Sequence, residues 1–100
     1  MNIQNLEEIY TSSLLNKLEN KTFKISEIIN LVNIIGNDFI DIVSNKLGLK
    51  NFTMSQSETM NIYTFTIISD EVKKAVVIVS TEKINETEIK VLDILTTLFI

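Results

Sequence analysis

The chain has 100 residues, with nine lysines against thirteen carboxylates for a net charge of −4, and it contains no histidine, cysteine, arginine or proline. One domain spanning 1–100 is the expectation at this length, with enough chain to bury a single core. The absent residue types take away most general bases, nucleophiles and transition-metal ligands used near neutral pH, the disulfide, and the planar fork that grips phosphates and carboxylates; lysines scattered along an acidic chain also argue against direct nucleic-acid binding.

Seventeen isoleucines and eleven asparagines stand against one alanine and two glycines, the skew that an AT-rich genome produces through codon usage. That origin accounts for the missing proline and partly for the missing arginine, but less well for histidine and cysteine, whose codons can end in A or T. Met1 to Tyr10 carries Glu7 and Glu8 and no basic cluster before an apolar run, so it does not read as a signal peptide. The longest wholly apolar run, Ala75 to Val79, is far below the roughly 20 residues of a membrane span. The Asn-x-Thr patterns at Asn20, Asn51 and Asn85 are what an asparagine-rich chain produces by chance. A cytoplasmic protein with no membrane span is expected.

In chain order, Asn5 with Glu8 reads as an N-cap and its reciprocal carboxylate, opening a helix from about Leu6 to Glu19 with one apolar stripe, Ile3, Leu6, Tyr10, Leu14 and Leu18. Ser26 opens a second helical region that runs to Leu47. Gly36-Asn37-Asp38 interrupts it, predicting a kink or two helices in series, Ser26 to Ile35 and Asp38 to Leu47, with Asp38 as a cap. Its apolar residues cover more than one face, which suggests burial between two layers. Gly48 stops the run in a Schellman ending with Leu49 folding back.

Beyond Gly48 the period becomes alternating. Phe52 and Met54 suggest a short strand, Ser55 to Thr59 its turn, and Met60 to Ser69 a second strand with Tyr63, Phe65 and Ile67 on one side. Ser69-Asp70-Glu71 is a turn signal before a central strand, Ala75 to Ser80. Asn85 and Glu88 form a capping box with Ile84 and Ile89 as its hydrophobic staple, predicting a helix from Glu86 towards Ile100 that is apolar almost all round. The expected fold class is therefore α+β: two N-terminal helical regions, a three-stranded antiparallel meander, and a C-terminal amphipathic helix packed on the sheet.

Candidate chemistry is sparse. Asn37, Asp38 and Asp41 place two carboxylates and an amide near one helix start, where a hard cation would bind; helix capping and a solvent-facing Asp41 explain them as well. Asp70-Glu71 beside Lys73-Lys74 reads as a solvated turn. The serines lie in no Gly-x-Ser-x-Gly elbow and have no histidine to activate them, which leaves a serine–lysine dyad without a supporting motif. Tyr63 and Phe65 have the spacing of a base-stacking platform, but no basic groove accompanies them and core packing explains them.

Two stretches carry a family resemblance. Ser26 to Met54 resembles the entry helices of GAF-type sensory domains, with Leu47-Gly48-Leu49 as the turn into a first strand, and Ala75 to Ile100 resembles their last central strand, a loop, and a helix beginning Asn-Glu-Thr-Glu-Ile. The roadblock-type dimerisation domains are a related but poorer match. The resemblance implies a reduced GAF-like domain, shorter than usual, dimerising through terminal helices; it carries over no ligand residue.

Together these features describe a non-enzymatic interaction or regulatory module with no cofactor and no metal, acting through homodimerisation and binding of another protein. The apolar termini supply its expected interface, Leu6, Tyr10 and Leu14 or Leu92, Leu95 and Phe99. The alternative is a small-molecule sensor with a pocket between the sheet and the Ser26 to Leu47 helices. An enzyme working with carboxylates and lysine is disfavoured by the missing acid–base groups.

Overall fold

A computed structural model describes residues 2–100. Helix α1 (Ile3–Leu18) leads into a short strand, β1 (Thr22–Lys24), and a single 3-10 turn (Ile25–Glu27). Helix α2 (Ile29–Asp38) continues without a break through a π-helical segment (Phe39–Ser44) to a last turn (Asn45–Leu47). Four strands follow, β2 (Phe52–Thr59), β3 (Ile62–Ser69), β4 (Val72–Lys83) and β5 (Glu88–Leu98). The five strands form one curled antiparallel sheet in the order β1-β5-β4-β3-β2, and both helices lie on its concave side.

Each helix presents a column of residues four apart to that side: Leu6, Tyr10, Leu14 and Leu18 from α1, and Leu31, Ile35, Phe39 and Val43 from α2 and its π segment. The i, i+4 column drifts around an ordinary α-helix. The wider π turn, in which the Asn45 N–H donates to the Ile40 carbonyl five residues back, returns Val43 to the column. The columns meet alternate residues of the strands, Tyr63, Phe65 and Ile67, Ala75, Val77 and Val79, and Ile89, Val91, Ile94 and Leu98, in one core. Tyr10 and Phe39 join the two helices edge to face, with ring centroids 5.9 Å apart, and Phe39 meets Phe52 of β2 in the same way at 5.1 Å.

The expected three-stranded meander with a C-terminal helix is overturned: residues 88–98 are a central strand, β5, hydrogen-bonded to β4 on one side and to β1 on the other. A register shift explains the misleading pattern. Ser80 pairs with Asp93 and Thr81 with Val91, so Leu92 is an extra, bulged residue. The inward residues are therefore Ile89, Val91, Ile94, Thr96 and Leu98, and the bulge turns a spacing of two into one of three at Val91–Ile94. Val91, Ile94, Leu95 and Leu98 consequently fall at i, i+3, i+4 and i+7, which is helical spacing. The supposed cap works in a turn instead. The Thr87 N–H donates to Asn85 Oδ1 at 2.9 Å, and Asn85 Nδ2 donates to Glu88 Oε1 at 2.9 Å, an Asx turn connecting β4 to β5.

Other boundaries move for similar reasons. The helix N-cap is Asn2, whose side chain accepts from the Gln4 N–H at 2.8 Å, rather than Asn5. Gly36-Asn37-Asp38 does not divide the second helical region, because Asp38 finds partners on α1 and stays in the helix as a buried residue. That region lies on one side of the sheet only, with Ile29 and Ile40 exposed. Ser55 to Thr59 is strand rather than turn; the reversal is made by Met60 and Asn61, both at positive φ (49° and 67°), as Asp70 and Glu71 (53° and 64°) make the next one. Two-residue hairpin turns of type I′ require positive φ at both positions. Thr22-Phe23-Lys24, too short to show a period, is the strand that sequence reading leaves out. Gly48 takes φ +66°, and the Leu49 N–H donates to the Ser44 carbonyl at 3.1 Å, the long bond of a Schellman ending. No helix among the described residues is long and apolar enough to cross a membrane.

Candidate functional site

With both helices on the concave face, the opposite face of the sheet has no cover among the described residues. Its rows run across the strands, Ser57, Thr64, Ile78 and Leu95 in one and Ser55, Thr66, Val76 and Thr97 in the next. The rows are uncharged, and charge enters at the margins, with Asp93 opposite Ser80 and Lys73 lying 5.5 Å from the Phe99 ring centroid. Leu95, 61% exposed, and Phe99, 48% exposed, stand at the β5 side of this face.

The second feature is the margin of β5 itself. Strand β1 reaches only Glu88–Lys90, extended by the Lys21 carbonyl accepting from the Val91 N–H. The Phe99 N–H donates to the Lys74 carbonyl of β4, so antiparallel alternation turns the N–H and C=O groups of Leu98, Thr96 and Ile94 away from β4, to a side where no strand lies. Carboxylates take two of those donors. Glu7 Oε2 accepts from the Leu98 N–H at 2.9 Å, and Asp93 Oδ1 accepts from the Ile94 N–H at 2.9 Å. Thr96 is held from below, its hydroxyl bonded to that of Thr11, while Thr11 donates to the Glu7 carbonyl at 2.8 Å. Between this strand margin and α1 runs an open groove of about 470 Å³, lined by Glu7, Glu8, Thr11, Ser12, Leu95 and Thr96. Among the described residues, two carboxylates and no basic side chain line it.

A third polar group is internal. Asp38, 2% exposed, accepts from Ser13 Oγ at 2.7 Å and from Lys17 Nζ, both on α1. Ser13 and Lys17 thus share one carboxylate rather than bonding to each other, and the group ties α1 to α2. The Tyr10 hydroxyl donates to the Ile35 carbonyl at 2.8 Å. Burial, and secondarily the charge of Asp38, pushes its phenol well above the ordinary range.

The sequence-derived interface set divides in two. Leu6, Tyr10 and Leu14 are core residues with no more than 1% exposure, whereas Leu92, Leu95 and Phe99 are exposed on β5. Of the three residues read as possible cation ligands, Asp38 is occupied by Ser13 and Lys17, and Asn37 and Asp41 are exposed; no group of three or more carboxylates comes together among the described residues. Tyr63 and Phe65 stack at 6.4 Å within the concave face, Phe65 fully buried. The space where a sensor pocket is expected, between the sheet and the second helical region, is occupied by Leu31, Ile35, Phe39 and Val43, all fully buried. Sequence reading misses the β5 margin and its groove because both depend on β5 being a strand. Comparison with protein families, with curated proteins and with solved structures gives no match to this chain.

Proposed function

We propose that the chain is a non-enzymatic interaction module that pairs with a second copy through the uncovered face of its sheet and acts by binding another protein. The observation that carries this reading is the uncharged, partly apolar face that includes the Ile78 and Leu95 pair. Half-exposed β-branched and aliphatic rows on a sheet are the material of sheet-on-sheet packing. A standard interface takes about 800 Å² from each partner, roughly an eighth of the 5989 Å² surface of this chain, which one face of a five-stranded sheet supplies. The missing charge matters as much as the area, since two copies each carrying −4 repel least where neither presents a carboxylate.

Sedimentation at micromolar concentration tests the reading, with an expected mass twice the 11.4 kDa of one chain. Leu95→Glu places a charge within the contact and is expected to give a folded monomer, because Leu95 is 61% exposed and lies on the face away from the core. A wild-type chain that stays monomeric into the millimolar range rejects homodimerisation.

A further inference from the structure

We infer that the open margin of β5 and the groove beside it bind an extended, lysine- or arginine-bearing segment of another protein, which adds to the sheet as a sixth strand. The inference rests on the interaction-module reading but uses the margin of β5 rather than the sheet face, the two meeting at Leu95. Three observations lead to it. The outward N–H and C=O groups of Ile94, Thr96 and Leu98 have no strand beside them. The groove of about 470 Å³ beside them, lined from β5 by Leu95 and Thr96, opens to solvent. Glu7 and Asp93 already place carboxylate oxygens where the carbonyls of an added strand would sit.

The exchange conserves hydrogen bonds. A carbonyl of the incoming segment takes the Leu98 N–H from Glu7, a second takes the Ile94 N–H from Asp93, and the carboxylates so released pair with basic side chains of the segment. Backbone bonding supplies register and the carboxylates supply selectivity. Charge also decides between partners. Glu7, Glu8 and Asp93 surround the margin, and the groove contains no lysine. In an antiparallel pairing of β5 with a second β5 about Thr96, Glu7 of one chain would meet Asp93 of the other twice over, and such like-charge contacts are costly. A basic segment reverses the sign of each. The other free margin, on β2 (Phe52–Thr59), carries a single carboxylate, Glu58, and lacks the carboxylate-bound donors seen at Ile94 and Leu98.

The test is a titration of ¹⁵N-labelled protein, followed by amide shifts, with a capped heptapeptide of alternating lysine and valine. Its counterparts carry glutamate for lysine, or N-methyl groups on one or the other set of alternate amides. Saturable shifts confined to residues 93–99 and 7–12 are expected, lost with the glutamate peptide and with N-methylation of one set of amides but not of the other. The triple variant Glu7→Gln, Glu8→Gln, Asp93→Asn is expected to weaken binding about tenfold; added sodium chloride is expected to weaken binding to the wild-type chain likewise, a reading that does not depend on the variant folding. No saturation into the millimolar range, shifts centred on residues 52–59 or on the β3 and β4 part of the uncovered face (Thr64, Thr66, Val76 and Ile78), or indifference to N-methylation overturns the proposal. The diffusion coefficient measured in the same samples reports dimerisation separately, so the loss of one reading leaves the other standing.

Discussion

Tyr10 carries its proton under conditions in which an unfolded tyrosine has lost it. Its hydroxyl is buried against the Ile35 carbonyl, and burial with the nearby Asp38 charge raises its ionisation well above the ordinary value near 10. The unfolded chain therefore releases a proton above pH 10 that the folded chain retains, so stability present below that pH is lost as pH rises, by about 1.4 kcal/mol per pH unit for this one group. Tyr10→Phe is expected to cost about 1 kcal/mol at neutral pH for the lost hydrogen bond and to remove that slope. Urea melts of both proteins between pH 8 and 11 should show the difference closing above pH 10 and then reversing. Met60 presents the opposite situation, an exposed side chain on a backbone that suits glycine. At φ +49° and 87% exposed, it gives up no packing on replacement. Met60→Gly is expected to stabilise the chain by about 0.5–1 kcal/mol in the same melts.

At the scale of elements, β5 shows what could be read in the chain and what could not. Columns such as Leu6, Tyr10, Leu14 and Leu18 announce α1 because helix period and burial agree along its whole length. The alternation of Tyr63, Phe65 and Ile67 likewise announces a strand, and Gly48 an ending. In β5 the bulge at Leu92 breaks the period of two, and the residues of its preceding turn are also those of a good helix cap, so two local signals agree on the wrong element. Cross-strand pairing with β4 and β1 decides against them, and no local pattern encodes it. The candidate site inherits that limit: the exposure of Leu95 and Phe99 depends only on their alternation, whereas the groove and the carboxylate-bound donors depend on which elements lie beside β5. Deleting Leu92 restores a plain period of two with Val91, Ile94, Thr96 and Leu98 all still inward, so urea unfolding of the deletion variant is expected to remain cooperative. Leu92→Thr, which retains the extra residue, should stay within about 0.5 kcal/mol of wild type in urea.

For the molecule as a whole, the order of folding follows from which contacts are local. Two tight turns join β2, β3 and β4 into a unit of neighbouring pairs, while α1 packs on β5 from the other end of the chain, with Glu7 bonded to Leu98 and Thr11 to Thr96. Closing the core thus requires contacts across nearly the full sequence, which places folding in the millisecond-to-second range of non-local topologies. With no proline in the chain, stopped-flow refolding is expected to be free of the phase of tens of seconds that prolyl isomerisation imposes.

The bulge at Leu92 also works as a ruler. It ends the regular stretch of β5 on one side, as the strand's last residue, Leu98, does on the other. Between them lie six residues, Asp93 to Leu98, about 20 Å of extended chain, and a longer strand laid alongside would lose register where Leu92 kinks the backbone. Recognition at this margin is therefore limited to short segments, whatever the length of the protein that carries them.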